Sequence, residues 1–203
     1  MEVQIVDYGM GNLKSVRRAV EETGARVVII DEPEQLRADL KTILPGVGAY
    51  SDGMENLRKK GLDKALQIYA SENGYLLGIC LGMQMLASYG EENGYARGMS
   101  LIPGGVKKLS QCDDTMRIPH VGWNEVIHDG RCRLLDGIPS GADFYFVHSF
   151  YLEPDDVRNC IGVTPYGGQF CSVVNSGKIY GVQFHPEKSQ KYGLQLIRNY
   201  LSL

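Results

Sequence analysis

The stretch Tyr75-Leu76-Leu77-Gly78-Ile79-Cys80-Leu81-Gly82 places a cysteine between two glycines, directly after an apolar run. The apolar run is typical of a buried strand, and residues 83–87 are good helix formers. This order predicts a strand, a sharp turn and a helix, with Cys80 at the turn. Bulky neighbours would block the strained backbone conformation of such a turn, so glycines are expected on both sides. The thiol would be exposed at the carboxyl end of the sheet, beside a helix N-terminus that favours the thiolate.

A second motif, Phe184-His185-Pro186-Glu187, lies much later in the chain. Residues i and i+2 of an extended segment point to the same side, and Pro186 cannot continue a helix. A carboxylate at 187 can therefore hold Nδ1 of His185 and leave Nε2 facing Cys80. Taken together, the motifs predict Cys80 as a nucleophile, His185 as its base and Glu187 as the group that orients the base. Each motif alone also fits a plainer reading, either a small buried cysteine or a surface His-x-Glu pair.

The first half of the chain alternates between strand and helix patterns. Alternation of this kind implies crossover connections and a parallel sheet that is covered on both faces. Ligands of such sheets bind beyond the carboxyl ends of the strands, where Gly46, Gly48 and Cys80 fall. The predicted strands are residues 3–6, 26–30, 42–44 and 75–79, and the predicted helices are residues 13–23, 56–60 and 62–70.

The second half consists mainly of short strand candidates separated by turn residues. Asn175-Ser176-Gly177-Lys178 predicts a hairpin between two of them, and Ser189 is the expected N-cap of a closing helix. No internal repeat or linker is visible in the sequence. We therefore expect one α/β domain spanning residues 1–203, with much antiparallel strand in its later part. The strand candidates are residues 105–109, 124–128, 143–147, 169–175 and 178–184.

Composition limits the classes of function. A chain of 203 residues with 43% apolar and 22% charged residues is ordinary for a globular domain. The net charge of −3 and the lack of a basic stripe argue against a nucleic-acid surface, and no apolar run is long enough to span a membrane. Five scattered cysteines and a start without a basic leader favour a reduced, cytoplasmic protein.

The two motifs carry a family resemblance that extends over the whole chain. Gly-Ile-Cys-Leu-Gly-Met-Gln at 78–84 and Gly-Val-Gln-Phe-His-Pro-Glu-Lys-Ser at 181–189 resemble the class I glutamine amidotransferases. The resemblance implies a flavodoxin-like fold, with a central, mostly parallel sheet flanked by helices and additional antiparallel strands in the C-terminal half. It also implies hydrolysis of glutamine to glutamate and ammonia through a cysteine thioester, without a cofactor or a metal.

Four further strings are similar to one subgroup of this family, the glutaminase subunits of a synthase in histidine biosynthesis. The subgroup resemblance implies a separate (β/α)8-barrel cyclase as partner, which uses the ammonia to make imidazole glycerol phosphate and aminoimidazole carboxamide ribonucleotide. We expect no second catalytic domain within these 203 residues, which agrees with a separate partner. The strings are Asp-Tyr-Gly-Met-Gly-Asn at 7–12, Pro-Gly-Val-Gly at 45–48, Pro-His-Val-Gly-Trp-Asn-Glu at 119–125 and Tyr-Phe-Val-His-Ser at 145–149.

An oxyanion hole needs backbone N–H groups that point at the developing charge. One candidate is the N–H of Leu81, at the predicted start of the helix. Another lies at Val47 and Gly48, because glycine on both sides of Val47 lets that peptide change its orientation. The resemblance implies that this turn responds to the partner. A simple turn at the end of a strand is the alternative.

Substrate contacts are assigned mainly by resemblance. Gln84 lies one helical turn past the cysteine and so faces the same site, where the resemblance implies contact with glutamine. Glu92 is similar to an acidic residue that receives the substrate ammonium, although the register leaves Glu91 as an alternative. Ser149 and Phe150 match a segment whose backbone binds the amino-acid end, with Phe150 where a tyrosine is more usual.

The resemblance also places four residues near the partner. Trp123 is the only tryptophan, and tryptophan is enriched at interface hot spots. Packing in the core is the alternative for this residue. The four positions are Asn12, Trp123, Tyr145 and Lys188.

Other functions remain as alternatives. The chain could be a paralogous glutaminase that feeds a different synthase, such as a sugar-amidinating enzyme, a silent scaffold subunit, or a cysteine peptidase on a similar fold. Gly9-Met10-Gly11 lacks the third glycine of a dinucleotide fingerprint. His120, His128 and His148 lack the spacing of metal ligands, so structural or interfacial roles are expected for them.

Overall fold

The computed structural model describes residues 1–110 and 117–203, so Cys112 lies outside the described residues. The helices are α1 (Leu13–Glu22), α2 (Tyr50–Lys59), α3 (Leu62–Ser71), α4 (Leu81–Gln84) and α5 (Gln190–Ser202). The strands are β1 (Glu2–Val6), β2 (Arg26–Ile30), β3 (Lys41–Gly46), β4 (Leu76–Cys80), β5 (Tyr89–Gly90), β6 (Ala96–Arg97), β7 (Gly104–Lys108), β8 (His120–Val126), β9 (Ala142–His148), β10 (Phe150–Pro154), β11 (Cys160–Pro165), β12 (Gln169–Ser176) and β13 (Ile179–Val182).

The largest sheet has seven strands in the order β11-β12-β13-β4-β3-β1-β2. Neighbouring strands from β13 to β2 run parallel, whereas β12 and β11 add antiparallel strands at one edge. Gly46 at the end of β3 lies opposite Cys80 at the end of β4. The predicted α/β class, with a mostly parallel sheet and antiparallel additions from the second half, is confirmed.

Two smaller sheets are also present among the described residues. One has the order β10-β7-β5-β6, and the other is the antiparallel pair β8-β9. The β8-β9 pair runs in unbroken register from His120 opposite His148 to Val126 opposite Ala142. The hairpin predicted at 175–178 joins β12 to β13, with Gly177 at φ 58°.

Buried apolar side chains form one cluster on each face of the large sheet. Val3 and Ile5 of β1 belong to one cluster and Val6 belongs to the other, as the alternation of a strand requires. The first cluster contains Phe144, Phe146 and Phe184, and the second contains Tyr50, Leu57 and Leu66. Both faces of the large sheet are therefore shielded from water, as expected for a parallel sheet.

Helix α2 begins six residues before the predicted start, at Tyr50 rather than Asn56. The Tyr50 N–H donates to Oε2 of Glu92 at 2.8 Å, so a carboxylate from a distant segment satisfies the first turn. Such a tertiary cap has no local sequence signal. The helix boundary was therefore missed.

The expected helix after Cys80 also differs, because α4 ends at Gln84 instead of continuing to Ala87. The carbonyls of Met85, Leu86 and Ala87 accept N–H groups from residues 99–102. Pairing with this later segment replaces the helical hydrogen bonds. Only a single helical turn remains. Its dipole is smaller than that of the longer helix that the sequence predicts, so it stabilises a thiolate at Cys80 less.

The expectation of a fully reduced chain is wrong at one pair of cysteines. Cys160 and Cys171 form a disulfide with their Cα atoms 5.7 Å apart. Antiparallel pairing of β11 and β12 brings these two positions together across the sheet edge, which the scattered spacing in sequence concealed. Cys80 and Cys132 are free thiols.

None of the helices in the described ranges is long and apolar enough to cross a membrane.

Candidate active site

Cys80 sits where β4 turns directly into α4, with φ 54° and ψ −111°. Positive φ is rare for a side chain other than glycine, so the strained turn expected from the sequence is present. The flanking glycines are required by close packing. A Cβ at Gly78 would lie 2.6 Å from the carbonyl oxygen of Gly82, and a Cβ at Gly82 would overlap the carbonyl oxygen of Leu44.

His185 and Glu187 form a buried pair beside this turn. Nδ1 of His185 lies 2.8 Å from Oε1 of Glu187, and the two side chains are only 2% and 1% exposed. The backbone is extended at His185 and then forms a 3-10 turn over Pro186–Lys188, which confirms that Pro186 does not continue a longer helix. This geometry fixes the imidazole with its other nitrogen, Nε2, turned away from the carboxylate.

Charge shifts the titration of His185. Burial alone would lower its pKa, but the charges of Cys80 and Glu187 and the hydrogen bond to Glu187 outweigh it and raise the pKa to about 10. Cys80 and His185 line the same cavity and Glu187 holds the imidazole, so the structure brings these three residues together.

The thiol and the imidazole open into a cavity of about 160 Å³. The cavity lies beyond the carboxyl ends of β3 and β4, where ligands of parallel sheets are expected. Its lining contains Val47, Gly48, Cys80, Leu81, Gln84, Glu92, Val147, His148, Ser149, Phe150 and His185. Every residue that the sequence assigned to the oxyanion hole and to the substrate lines this one cavity.

The turn after β3 lies against the cysteine turn. A Cβ at Gly46 would be 2.9 Å from the backbone nitrogen of Gly82, so the two backbones pack directly on each other. Gly48 has φ 105°, and Val47 between the glycines is 39% exposed. A Cβ at Gly48 would meet Cε of Met10 at 2.7 Å. The Val47–Gly48 peptide thus lies at the cavity wall in a conformation that favours glycine.

Gln84 is held by two acceptors inside the site. Its Nε2 donates to the Phe150 carbonyl at 2.8 Å and to Oε1 of Gln183 at 3.1 Å. Nε2 of Gln183 in turn approaches Sγ of Cys80 at 3.7 Å. Sequence reasoning missed Gln183. Its position two residues before His185 on an extended segment was the signal that could have found it.

Glu92, rather than Glu91, lines the cavity. Glu92 is partly buried and accepts the Tyr50 N–H, whereas Glu91 is exposed. Burial raises the pKa of Glu92, with the Tyr50 N–H acting in the opposite direction. Of the two acidic residues, Glu92 is therefore the one that the structure places at the cavity.

Ser149 and Phe150 form the corner between β9 and β10, and both carbonyls are engaged. The Ser149 carbonyl accepts the Leu109 N–H at 2.8 Å, while the Phe150 carbonyl accepts from Gln84 and from Nδ1 of His148. His148 lines the cavity, which the sequence did not indicate.

Part of the outer face of the β8-β9 pair is apolar and exposed. Trp123 lies opposite Tyr145 with ring centroids 6.0 Å apart, and Val121 lies opposite Val147. Nζ of Lys188 lies 5.5 Å from the centre of the Tyr145 ring. Trp123 is 49% exposed, which argues against the core-packing alternative. Asn12 lies on another element, at the start of α1.

Comparison with known proteins gives the same family at two levels of detail. The class-I glutamine amidotransferase family matches residues 4–202. The imidazole glycerol phosphate synthase subunit HisH of Moorella thermoacetica is 46% identical over 198 residues, covering 98% of this chain and 93% of that protein. The HisH subunit of Herpetosiphon aurantiacus is 43% identical, covering 99% and 94%.

Solved structures show the same fold at low sequence identity. PurLQS from Thermotoga maritima superposes with a TM-score of 0.77 at 20% identity, covering 99% of this chain and 97% of that chain. A glutamine amidotransferase from the same organism superposes with a TM-score of 0.63 at 16% identity, covering 100% and 83%. The chain belongs to the class I glutamine amidotransferase family and, within it, to the family of HisH subunits of imidazole glycerol phosphate synthase.

Proposed function

We propose that this chain hydrolyses glutamine and supplies the ammonia to a synthase subunit that makes imidazole glycerol phosphate. The observation that carries the proposal is the arrangement of Cys80 with His185 and Glu187 at a cavity of about 160 Å³. A thiol with an adjacent base and an orienting carboxylate is suited to acyl transfer. Membership of the glutamine amidotransferase family supports glutamine as the acyl donor.

In the first half-reaction, Sγ of Cys80 attacks the carboxamide carbon of glutamine while His185 holds the proton of the thiol. The negative charge that develops on the carboxamide oxygen is stabilised by the N–H of Leu81 and by the peptide at Val47 and Gly48. Each such donor lowers the activation free energy by about 3 kcal/mol. When the intermediate collapses, the C–N bond breaks, His185 gives its proton to the nitrogen, and ammonia leaves a glutamyl thioester.

In the second half-reaction, water attacks the thioester carbon while His185 accepts one of its protons. The C–S bond then breaks, the thiol is restored, and glutamate leaves. Glu187 holds the imidazole in one orientation and stabilises its charged form in both halves. The raised pKa of His185 agrees with this role, because it favours the imidazolium beside a thiolate.

The remaining cavity residues are suited to holding the amino-acid end of glutamine. The carboxylate of Glu92 supplies a negative group for the α-ammonium. Gln84, Ser149 and Phe150 line the same cavity. Gln183, which contacts both Gln84 and the thiol, keeps the thiol and the substrate wall in register.

The partner in this proposal is a (β/α)8-barrel cyclase that docks on the outer face of β8 and β9. Trp123, Tyr145 and Lys188 form an aromatic and cationic cluster on this face, with Asn12 contributing from α1. Buried aromatic anchors of this kind dominate interface energies. The names of the HisH relatives support this acceptor and give no support to a sugar-amidinating one. We expect the complex to work in the cytoplasm.

The experiment is glutamate formation from glutamine by the chain with its cyclase, comparing the natural chain with Cys80→Ala. The proposal expects release of ammonia that is lost in Cys80→Ala, together with formation of imidazole glycerol phosphate when the ribonucleotide acceptor is present. If hydrolysis depends on Cys80 but no imidazole glycerol phosphate forms with the cyclase, the proposed ammonia acceptor is wrong. No hydrolysis under any condition would reject the glutaminase.

A further inference from the structure

Two buried histidines outside the proposed chemistry form a continuous chain of hydrogen bonds. Nδ1 of His120 lies 3.1 Å from Nε2 of His148, and Nδ1 of His148 lies 2.9 Å from the Phe150 carbonyl oxygen. At the other end, Nδ2 of Asn124 lies 3.2 Å from Nε2 of His120. The histidines are only 3% and 6% exposed. The chain runs from the partner-facing hairpin to the cavity wall.

The ends of the chain fix where the protons lie. The amide of Asn124 is oriented by two neighbours, because its Nδ2 donates to the Pro165 carbonyl at 2.9 Å and its Oδ1 accepts the Glu125 N–H at 2.9 Å. Nδ2 can only donate, so Nε2 of His120 accepts. A carbonyl oxygen can only accept, so Nδ1 of His148 donates.

The middle bond then has one solution. A neutral imidazole has one donor and one acceptor, so Nδ1–H of His120 donates to Nε2 of His148. Burial lowers the pKa of His120 to about 4 and that of His148 to about 3, which keeps both rings neutral at neutral pH. His120 is further held between the rings of Phe146 and Tyr166, with centroids 4.8 Å and 3.9 Å away.

We propose that His120 and His148 are positioning residues for glutamine, forming a neutral relay that fixes the Phe150 carbonyl and with it the substrate-binding corner Ser149–Phe150. The proposal rests on the glutaminase function proposed above. Donation from His148 and Gln84 fills both lone pairs of this carbonyl, so the corner has one preferred orientation. The relay acts on recognition of the amino-acid end and not on the reactivity of the thiol.

The test separates recognition from reactivity by labelling Cys80 with two electrophiles, with the cyclase added. A diazoketone analogue of glutamine needs the substrate site, whereas iodoacetamide needs only the thiol. His120→Leu removes the relay at a residue that does not line the cavity, and His120→Asn keeps a donor near the position of Nδ1. His128→Asn, at a half-buried histidine outside the relay, is the matched control.

The proposal expects His120→Leu to raise the half-saturating concentration of the diazoketone roughly tenfold, with recovery in His120→Asn and no change in His128→Asn. The iodoacetamide rate should be equal in all four proteins. A folded His120→Leu that binds the diazoketone like the natural chain would overturn the proposal. A natural chain that is never labelled by the diazoketone would instead reject the glutaminase function.

A measurement on the natural chain covers the case in which His120→Leu does not fold. Nitrogen NMR of the labelled histidines at neutral pH should show His120 and His148 neutral and protonated at Nδ1. Protonation at Nε2 in either ring would overturn the relay, since the Asn124 or the His120 contact would then join two donors.

Discussion

At the scale of single residues, the candidate site depends on a few positions that are closely constrained by their surroundings. Cys80 has a positive φ, and the glycines on both sides are pressed against backbone atoms. Glu187 is buried with Oε1 on the imidazole of His185. Each of these residues was visible in the sequence because its chemistry is local. Their function therefore makes sharp predictions for single substitutions.

Replacing Glu187 with glutamine should lower glutamine turnover by roughly three orders of magnitude. The amide keeps the shape but removes the charge that raises the pKa of His185, so the imidazolium and its orientation are both less stable. The measurement is ammonia release at saturating glutamine in the presence of the cyclase. Glu153→Gln, at an exposed carboxylate paired with Lys107, is the control and should leave turnover unchanged. Near-normal turnover in Glu187→Gln would contradict the assignment.

Replacing Gly82 with alanine should destabilise the fold by about 3 kcal/mol or more, because the new Cβ would overlap the Leu44 carbonyl. Gly11→Ala is the matched control, since its Cβ would meet Cγ of Pro45 at 3.4 Å, an ordinary contact. Urea unfolding of both variants measures the difference. Equal unfolding midpoints for the two variants would show that the fold does not depend on the close packing of Gly82 against the Leu44 carbonyl.

At the scale of elements, strand β9 links the proposed docking surface to the segment that carries His185 and Glu187. The Tyr145 N–H donates to Oγ of Ser189 at 3.0 Å, that hydroxyl donates to the His185 carbonyl at 2.6 Å, and the His185 N–H donates to the Tyr145 carbonyl at 2.9 Å. The sequence suggested Ser189 as the N-cap of α5, but its side chain makes no cap hydrogen bond. The hydroxyl ties the catalytic turn to β9 instead.

Ser189→Ala should therefore reduce glutamine turnover about tenfold while leaving α5 formed. The loss corresponds to a buried hydroxyl whose two hydrogen bonds hold the backbone of His185. Turnover with the cyclase and the far-ultraviolet circular dichroism spectrum are the two measurements. Ser202→Ala, at an exposed hydroxyl in the last turn of α5, is the control. Loss of helix without a specific loss of turnover would favour the capping role.

The elements also show where sequence reasoning reached its limit. Strands β2 and β9 and helix α3 were found within one residue of their bounds, because each carries its own apolar pattern. The start of α2 and the end of α4 were missed, since Glu92 and residues 99–102 supply the hydrogen bonds that decide them. The disulfide was missed for the same reason. Contacts between distant segments leave no periodic signal in the chain.

At the scale of the whole molecule, the cavity and the proposed docking surface share the strand pair β8-β9. Its inner face carries the His120–His148 relay, and its outer face carries Trp123 and Tyr145. Side chains alternate along a strand, so neighbouring residues point to opposite faces of the pair. Docking of a partner on the outer face can therefore change the geometry of the substrate site through the same two strands.

Trp123 should report docking directly, because it is the only tryptophan and is half exposed. Titration with a cyclase that lacks tryptophan should shift its emission to shorter wavelength, as burial removes the indole from water. Trp123→Ala should weaken the complex at least tenfold in calorimetry. Tyr95→Ala, at a more exposed aromatic residue between β5 and β6, should leave affinity unchanged. A Trp123 emission spectrum that does not change when the cyclase is added would mean that the interface lies elsewhere.

The relay should make the fold sensitive to acid. The pKa values of His120 and His148 are lowered to about 4 and about 3, against an ordinary 6.5, so the unfolded chain binds protons first as pH falls. Their contribution is complete above pH 6.5 and is lost as pH falls from 6.5 toward 3. Urea unfolding at pH 7.5 and pH 5 should show a smaller decrease in His120→Leu than in the natural chain. Equal decreases would mean that His120 is protonated in the fold.

The most direct test of the central claim is the rate of glutamine hydrolysis by the chain alone and with the cyclase and its ribonucleotide substrate. We predict little hydrolysis alone, strong activation by the loaded cyclase, and loss of both in Cys80→Ala. Hydrolysis that is insensitive to the cyclase, or that persists in Cys80→Ala, would contradict the account.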